Sequence, residues 1–134
     1  DLFINQLVMS AVKESYYALY EPHATRTFLQ IKDAVSSIIF ALQNRDKMIN
    51  NCFNVGDSSQ NYTKHEIALK VKQFVDFHLT NLEFSSDKDY RDYSVNYDKI
   101  KSLGFSSKIE IETGICELIK VCNIINDNSI YKNY

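Results

Sequence analysis

Arg26 has the residue type and setting best suited to chemistry in this chain. It stands in Arg26-Thr-Phe-Leu-Gln-Ile-Lys-Asp33, where a short extended run leads into a helical pattern. A guanidinium presents a planar fork of N–H donors that pairs bidentately with phosphate oxygens, and a strand end entering a helix fixes its direction. The competing reading is a surface arginine paired with Asp33 or Glu21. A second polar run, Asp87-Lys-Asp-Tyr-Arg91-Asp92, has the composition of a solvated loop with mixed charge. Tyr97 and Lys101 are four apart, which formally fits a tyrosine base beside a lysine cation, but both residue types are abundant here and chance produces such pairs often. His23, His65 and His78 share no spacing and have no partner that would make a triad. No glycine-rich phosphate loop follows a strand, which argues against NAD binding by this chain alone.

The elements that must position these residues are short. Only three glycines and one proline occur in 134 residues, so no flexible linker divides the chain. At 45% hydrophobic residues the length suffices for one core. Residues 2–16 place Leu2, Phe3, Leu7, Val8, Ala11 and Val12 on one helical face. Strands are expected at Tyr17–Tyr20, Arg26–Gln30, Cys52–Val55, His78–Phe84 and Tyr93–Val95. A helix over 31–43 is expected to turn Ile31, Val35, Ile38, Ile39 and Leu42 inward. Thr63-Lys-His-Glu66 is a capping box, and the helix it opens should bury Ile67, Val71, Phe74 and Val75. A short helix follows around Tyr97–Ser102, closed by Gly104. A last helix over Ile111–Ile125 carries Ile115, Leu118, Ile119 and Cys122 on one face. The fold class is therefore α/β, a small mixed domain of short strands and about five helices over 1–125, with a polar tail at 126–134.

Composition excludes several partners. Fifteen basic against seventeen acidic side chains leave a net charge of -2, without a basic block for nucleic acid or a membrane surface. No apolar run approaches the ~18 residues of a membrane span. Cys52, Cys116 and Cys122 form no CxxC motif, which suits a reducing compartment and a cytoplasmic location. Metal binding is not expected. Asn61-Tyr-Thr63 matches a glycosylation sequon that chance alone produces often. The chain opens on Asp1 rather than Met, as expected of a trimmed or processed piece.

Taken in order, Arg26–Asp33, Phe53-Asn-Val-Gly56, Arg91-Asp-Tyr-Ser-Val and Lys99-Ile…Leu103-Gly104-Phe105 resemble the C-terminal, substrate-binding part of the NAD-dependent epimerase/dehydratase family. These are extended short-chain dehydrogenase/reductases acting on nucleotide-diphosphate sugars. Lys108-Ile-Glu-Ile-Glu112-Thr-Gly114 resembles the same family's strand-to-helix junction, and the likeness spans residues 2–125. It implies that Arg26 contacts the nucleotide diphosphate and that Asp33 is the structural acid of its motif. It implies further that Arg91 supplies a second phosphate or ribose contact, that Asp92 accepts from a ribose hydroxyl or orders the loop, and that Tyr20 packs near the base. Two positions depart from the pattern. Glu21 replaces a glycine after Tyr20, and Ser94 replaces a second arginine. The Tyr97–Lys101 stretch aligns with a structural helix, the family's catalytic pair lying earlier than this chain reaches. The resemblance implies NAD or NADP in the full-length enzyme, held by an N-terminal Rossmann domain. This chain is expected to bind no cofactor and to do no chemistry alone. It would anchor a nucleotide-diphosphate sugar and self-associate through the surface left bare. A stand-alone binding module, or a helical interaction module, is the alternative.

Overall fold

The computed structural model describes residues 2–82 and 92–125. The amphipathic opening becomes helix α1 (Phe3–Glu14), which buries Leu7, Val8 and Ala11 and stops where Ser15 takes a left-handed φ of 54°. Strand β1 (Tyr16–Tyr20) follows, then β2 (Thr25–Thr27), α2 (Ile31–Gln43) and α3 (Arg45–Met48). A 3-10 turn (Ser58–Gln60) leads into β3 (Asn61–Thr63) and α4 (Lys64–Lys72). β4 (His78–Leu82), α5 (Asp98–Lys101) and α6 (Ile111–Ile124) complete the described elements. β1 pairs in parallel with β4, Tyr16 opposite His78, while β2 and β3 form a separate antiparallel pair with Arg26 opposite Tyr62. The class is α/β, as expected, with six α-helices among the described residues.

The main core lies between α1, α4, α6 and β1. Leu7, Val8, Leu19, Ile67, Val71 and Ile115 are its largest fully enclosed residues. The capping box forms as read: Thr63 Oγ1 accepts from the Glu66 amide at 3.1 Å and the Glu66 carboxylate accepts from the Thr63 amide at 2.7 Å. A second cluster gathers Tyr97, Ile100 and Phe105 with Phe40, Phe53, Val55 and Val95.

That second cluster corrects two expected strands. Cys52–Val55 and Tyr93–Val95 are not strands. Phe53, Val55 and Val95 pack against its buried residues instead of lining a sheet. The strand expected over Arg26–Gln30 ends at Thr27, because the Gln30 side chain turns to accept from the Lys32 amide and caps α2. Phe74, expected inside, is 44% exposed, since α4 ends at Lys72 and the inward stripe ends with it. Phe84 and the tail at 126–134 lie outside the described residues.

The largest correction concerns α2. Its bounds are as read, yet Ile31, Val35, Ile38, Ile39 and Leu42 are all exposed, whereas Asp33 and Ser37 are buried. The cause is Asp33. Its Oδ2 accepts from the amides of Lys108 at 3.1 Å and Ile109 at 2.9 Å, satisfying two backbone donors that burial would otherwise leave unpaired. Phe40, about two turns further along, then faces Phe105 at 5.4 Å between ring centroids. The helix is thus rotated so that its apolar stripe faces outward.

Gly56 shows how tightly the second cluster is built. Its φ is +153°, and an added β-carbon would lie 2.7 Å from Cε1 and Cζ of Tyr97. Gly56→Ala is expected to cost about 2–3 kcal/mol in urea denaturation. By contrast, Ile38→Glu with Leu42→Lys on the outer face of α2 should change stability by less than about 0.5 kcal/mol each while reducing self-association in sedimentation. A loss on the scale of Ile115→Ala, about 3 kcal/mol, would show that the α2 stripe is core after all.

Candidate functional site

Arg26 sits in the middle of β2 and is 9% exposed. Its Nη1 donates to the Thr25 carbonyl at 2.8 Å, and its guanidinium lies 5.6 Å from the centroid of the Tyr93 ring. That distance suits a cation–π contact. Asp92 is beside it. Its Oδ1 accepts from the Thr25 amide at 2.9 Å. The hydrogen bond from that amide, then the Thr25 side chain, with the Arg26 charge adding, holds the Asp92 carboxyl below its ordinary value.

Segment 92–96 reaches this position through side chains rather than a backbone ladder. Asn61 Nδ2 donates to the Val95 carbonyl at 3.1 Å, and its Oδ1 accepts from the Val95 amide at 3.4 Å. One side-chain amide thereby does for Val95 what a neighbouring strand would do. Asn54 Nδ2 donates to the Asn96 carbonyl at 3.3 Å. The Asn61 amide of the sequon is therefore a structural clamp for this segment.

A cavity of about 630 Å³ opens beside Arg26 and Tyr93. Phe28, Ile31, Leu118 and Val121 give it a mainly apolar wall. Ser107 also lines it, and its buried Oγ has no hydrogen-bond partner among the described residues. Gln30 Nε2 donates to Glu117 Oε2 at 2.8 Å across the rim, and Lys32 pairs with the same carboxylate. The Lys32 hydrogen bond first, with Gln30 assisting, holds the Glu117 carboxyl low.

The structure thus brings Arg26, Asp92 and Tyr93 together. Tyr20 ends β1, is 44% exposed, and is not part of the cavity wall. Arg91 lies outside the described residues. The alternative pairings of Arg26 are taken up elsewhere: Asp33 holds the 108–109 amides, and Glu21 lies 3.6 Å from Lys64. Tyr97 is buried, bonded through its hydroxyl to Thr27 Oγ1, and Lys101 pairs with Asp57 at 2.8 Å. That hydrogen bond first, with the Ser59 amide, holds Asp57 down to about 2. Neither Tyr97 nor Lys101 is set for proton transfer. Among the described residues no group of three or more His, Cys, Asp or Glu side chains could hold a metal. Gly56 and Gly104 serve turns and Gly114 lies within α6, so they form no dinucleotide cradle and no cofactor step is derived from this chain. Among the described residues no helix is long and apolar enough to cross a membrane. Sequence reasoning missed Tyr93, Asn61 and Ser107. Only Tyr93, adjacent to the Arg91-Asp92 pair, carried a nearby signal.

No family model matches the sequence. It is 28% identical over 137 residues to an uncharacterized protein of Schizosaccharomyces pombe, covering 87% of this chain and 38% of that one. Solved structures share the fold. Helicobacter pylori ADP-L-glycero-D-manno-heptose-6-epimerase superposes with a TM-score of 0.72 at 22% identity, over 91% of this chain and 38% of the enzyme. The GDP-mannoheptose C4 reductase of Campylobacter jejuni, with NADP bound, gives 0.69 at 19% over 93% and 45%. A monomeric L-threonine 3-dehydrogenase from a metagenome gives 0.75 at 16% over 91% and 41%. The chain therefore has a fold found within epimerases, reductases and dehydrogenases, and it spans about two fifths of their length. The first two are named for nucleotide-linked sugars and the third is not, so the fold by itself does not select the substrate.

Asp92 gives the site a pH signature. Its folded pKa is depressed, so its stabilising clamp on Thr25 is complete above the ordinary aspartate value and is lost as pH falls through the depressed one. The Thr25 amide resonance is expected to titrate with a midpoint below 3.8 in NMR. Asp92→Asn should abolish that titration.

Proposed function

We propose that this chain is the substrate-binding portion of an NAD(P)-dependent nucleotide-sugar epimerase or dehydratase. It anchors the nucleotide diphosphate and performs no chemistry alone. The observation that carries this reading is Arg26, a largely buried guanidinium in a short strand, flanked by Tyr93 and by an ionised Asp92, at the mouth of a cavity. A cation in such a setting binds a diphosphate more strongly than one free in water, because less solvent screens the pair. Asp92 has a second oxygen with which to accept from a ribose hydroxyl. Arg91 precedes it in sequence and is assigned the second phosphate contact. Tyr20 is assigned the base.

NAD or NADP belongs in this reading to an N-terminal Rossmann domain of the full-length enzyme. The exposed stripe Ile31, Val35, Ile38 and Leu42, continuous through Ile31 with the cavity wall, offers that domain an apolar docking face. The coverage of about two fifths of the structural neighbours supports the same division. A helical interaction module would also account for the stripe, but it leaves the Arg26–Asp92–Tyr93 grouping without a purpose.

UDP-glucose, GDP-mannose and ADP-glucose titrated separately into the chain provide the test, followed by NMR. Shifts are expected to concentrate at Arg26, Asp92 and Tyr20, with weak affinity. Arg26→Ala should weaken binding by about 30-fold, the loss of one charge-assisted contact. Equal binding by wild type and Arg26→Ala would refute the anchor. NAD-dependent turnover of any of the three sugars by this chain would refute the assignment of chemistry to another domain.

A further inference from the structure

Residues 92–96 lie beside the β2–β3 pair without joining its ladder. Among the described residues no backbone-to-backbone hydrogen bond holds them. Val95 is half-buried against the cluster around Tyr97, so its amide and carbonyl need partners. Both find them on one side chain. Asn61 Nδ2 donates to the Val95 carbonyl at 3.1 Å, and Asn61 Oδ1 accepts from the Val95 amide at 3.4 Å. The same Nδ2 lies 3.4 Å from Ser94 Oγ. Among side chains of this length, a carboxamide alone carries a strong donor and a strong acceptor on separate atoms. A carboxylate or an aliphatic group of the same shape could not serve both backbone groups.

Asn61 is itself fixed in place. It is the first residue of β3 and stands opposite Thr27, the neighbour of Arg26 in β2. The 92–96 arm is therefore fastened twice to the strand pair that carries Arg26. Asp92 holds the Thr25 amide at one end, and Val95 is held by Asn61 at the other. Tyr93 falls between these anchors, with its ring 5.6 Å from the guanidinium. Asn54 adds a single bond, from Nδ2 to the Asn96 carbonyl at 3.3 Å, between two exposed residues. One exposed bond of that length holds the arm less firmly than the paired bonds at Val95.

We propose that Asn61 is a positioning residue of the nucleotide site: its carboxamide docks the 92–96 arm on the β2–β3 pair and so places Tyr93 and Asp92 against Arg26. The link to a nucleotide rests on the function proposed above, whereas the docking of the arm does not. The placement depends on hydrogen-bond polarity rather than on bulk. Asn61→Asp keeps the shape and one acceptor, but it sets a carboxylate oxygen against the Val95 carbonyl where a donor stood. Asn61→Leu keeps the bulk and offers neither bond, which leaves two backbone groups unpaired.

The test uses the chain with Asn61→Leu, Asn61→Asp, Tyr93→Leu and Ile115→Val. The last lowers stability from the main core rather than from beside the arm. NMR follows the acid titration of the Thr25 amide and the Arg26 Nε–H resonance, and UDP, GDP and ADP are then titrated in turn. Both Asn61 variants are expected to lose the Thr25 titration, since the Asp92 carboxylate no longer reaches that amide. Their Arg26 resonance should move to where Tyr93→Leu leaves it, because the ring no longer stands over the guanidinium. Affinity for whichever nucleotide the wild type takes should fall about tenfold. Ile115→Val should lower the urea midpoint and leave all three readings unchanged. An unchanged Thr25 titration and Arg26 resonance in both Asn61 variants would overturn the docking role. The same changes in Ile115→Val would trace them to stability and overturn it as well. A displaced arm with unchanged affinity would overturn the link to the nucleotide. If the wild type binds none of the three nucleotides, the function proposed above fails, while the two resonances still decide the docking role. If Asn61→Leu does not fold, Asn61→Asp is read in its place. If neither folds, Asn61 serves folding rather than placement and the proposal falls.

Discussion

The Asp33 carboxylate is the constraint on which the rest of this structure turns. A buried carboxylate needs donors, and the amides of Lys108 and Ile109 are the ones it finds. Meeting that need fixes the rotation of α2 about its axis, and it ties the β2–α2 junction to the segment entering α6. The cavity beside Arg26 lies between those pieces. Two backbone hydrogen bonds to Asp33 leave neither its side chain nor the amides of residues 108 and 109 unpaired inside the protein, while several aliphatic side chains of α2 stay outside.

The same economy of side-chain hydrogen bonds governs the other wall of the site. Asp92 holds Thr25, Asn61 holds both backbone groups of Val95, and Asn54 holds Asn96. A strand at 93–95 would have extended the β2–β3 pair. A segment fastened through side chains follows a freer path, and it carries Tyr93 over Arg26 rather than away from it. The cost is sensitivity to the ionisation of Asp92, which no continuous backbone ladder would show.

What could be read from the sequence was local. The bounds of α2 and the capping box at Thr63–Glu66 follow from signals within one or two helical turns. The inward face of α6 follows from its own periodicity. The orientation of α2 could not be read, since it depends on donors about 75 residues further along the chain, and apolar periodicity alone favoured the opposite face. Phe53, Val55 and Val95 signalled burial correctly but not its form: they enter a cluster around Tyr97, not a sheet. Arg26, the proposed anion ligand, stood out in the sequence because its motif is local. Tyr93 and Asn61 were not, because their roles exist only once β2, β3 and the 92–96 segment are side by side.

An outward apolar face on α2 and an apolar cavity wall that share Ile31 are hard to reconcile with a surface whose only neighbour is water. In a free monomer such a stripe is an aggregation liability, and sequences ordinarily interrupt it with charge. Here the interruption falls on the opposite side, at Asp33, where it organises the interior. The polarity of α2 thus divides into hydrogen bonds toward the interior on one side and an exposed apolar stripe on the other, the stripe the proposed function assigns to a second domain. A substrate site built at the seam between those two surfaces would explain why Arg26 is nearly enclosed while the cavity next to it stays open. On the proposed function, closure of that cavity would belong to the domain that covers α2, which would tie anchoring of the substrate to assembly of the complete site.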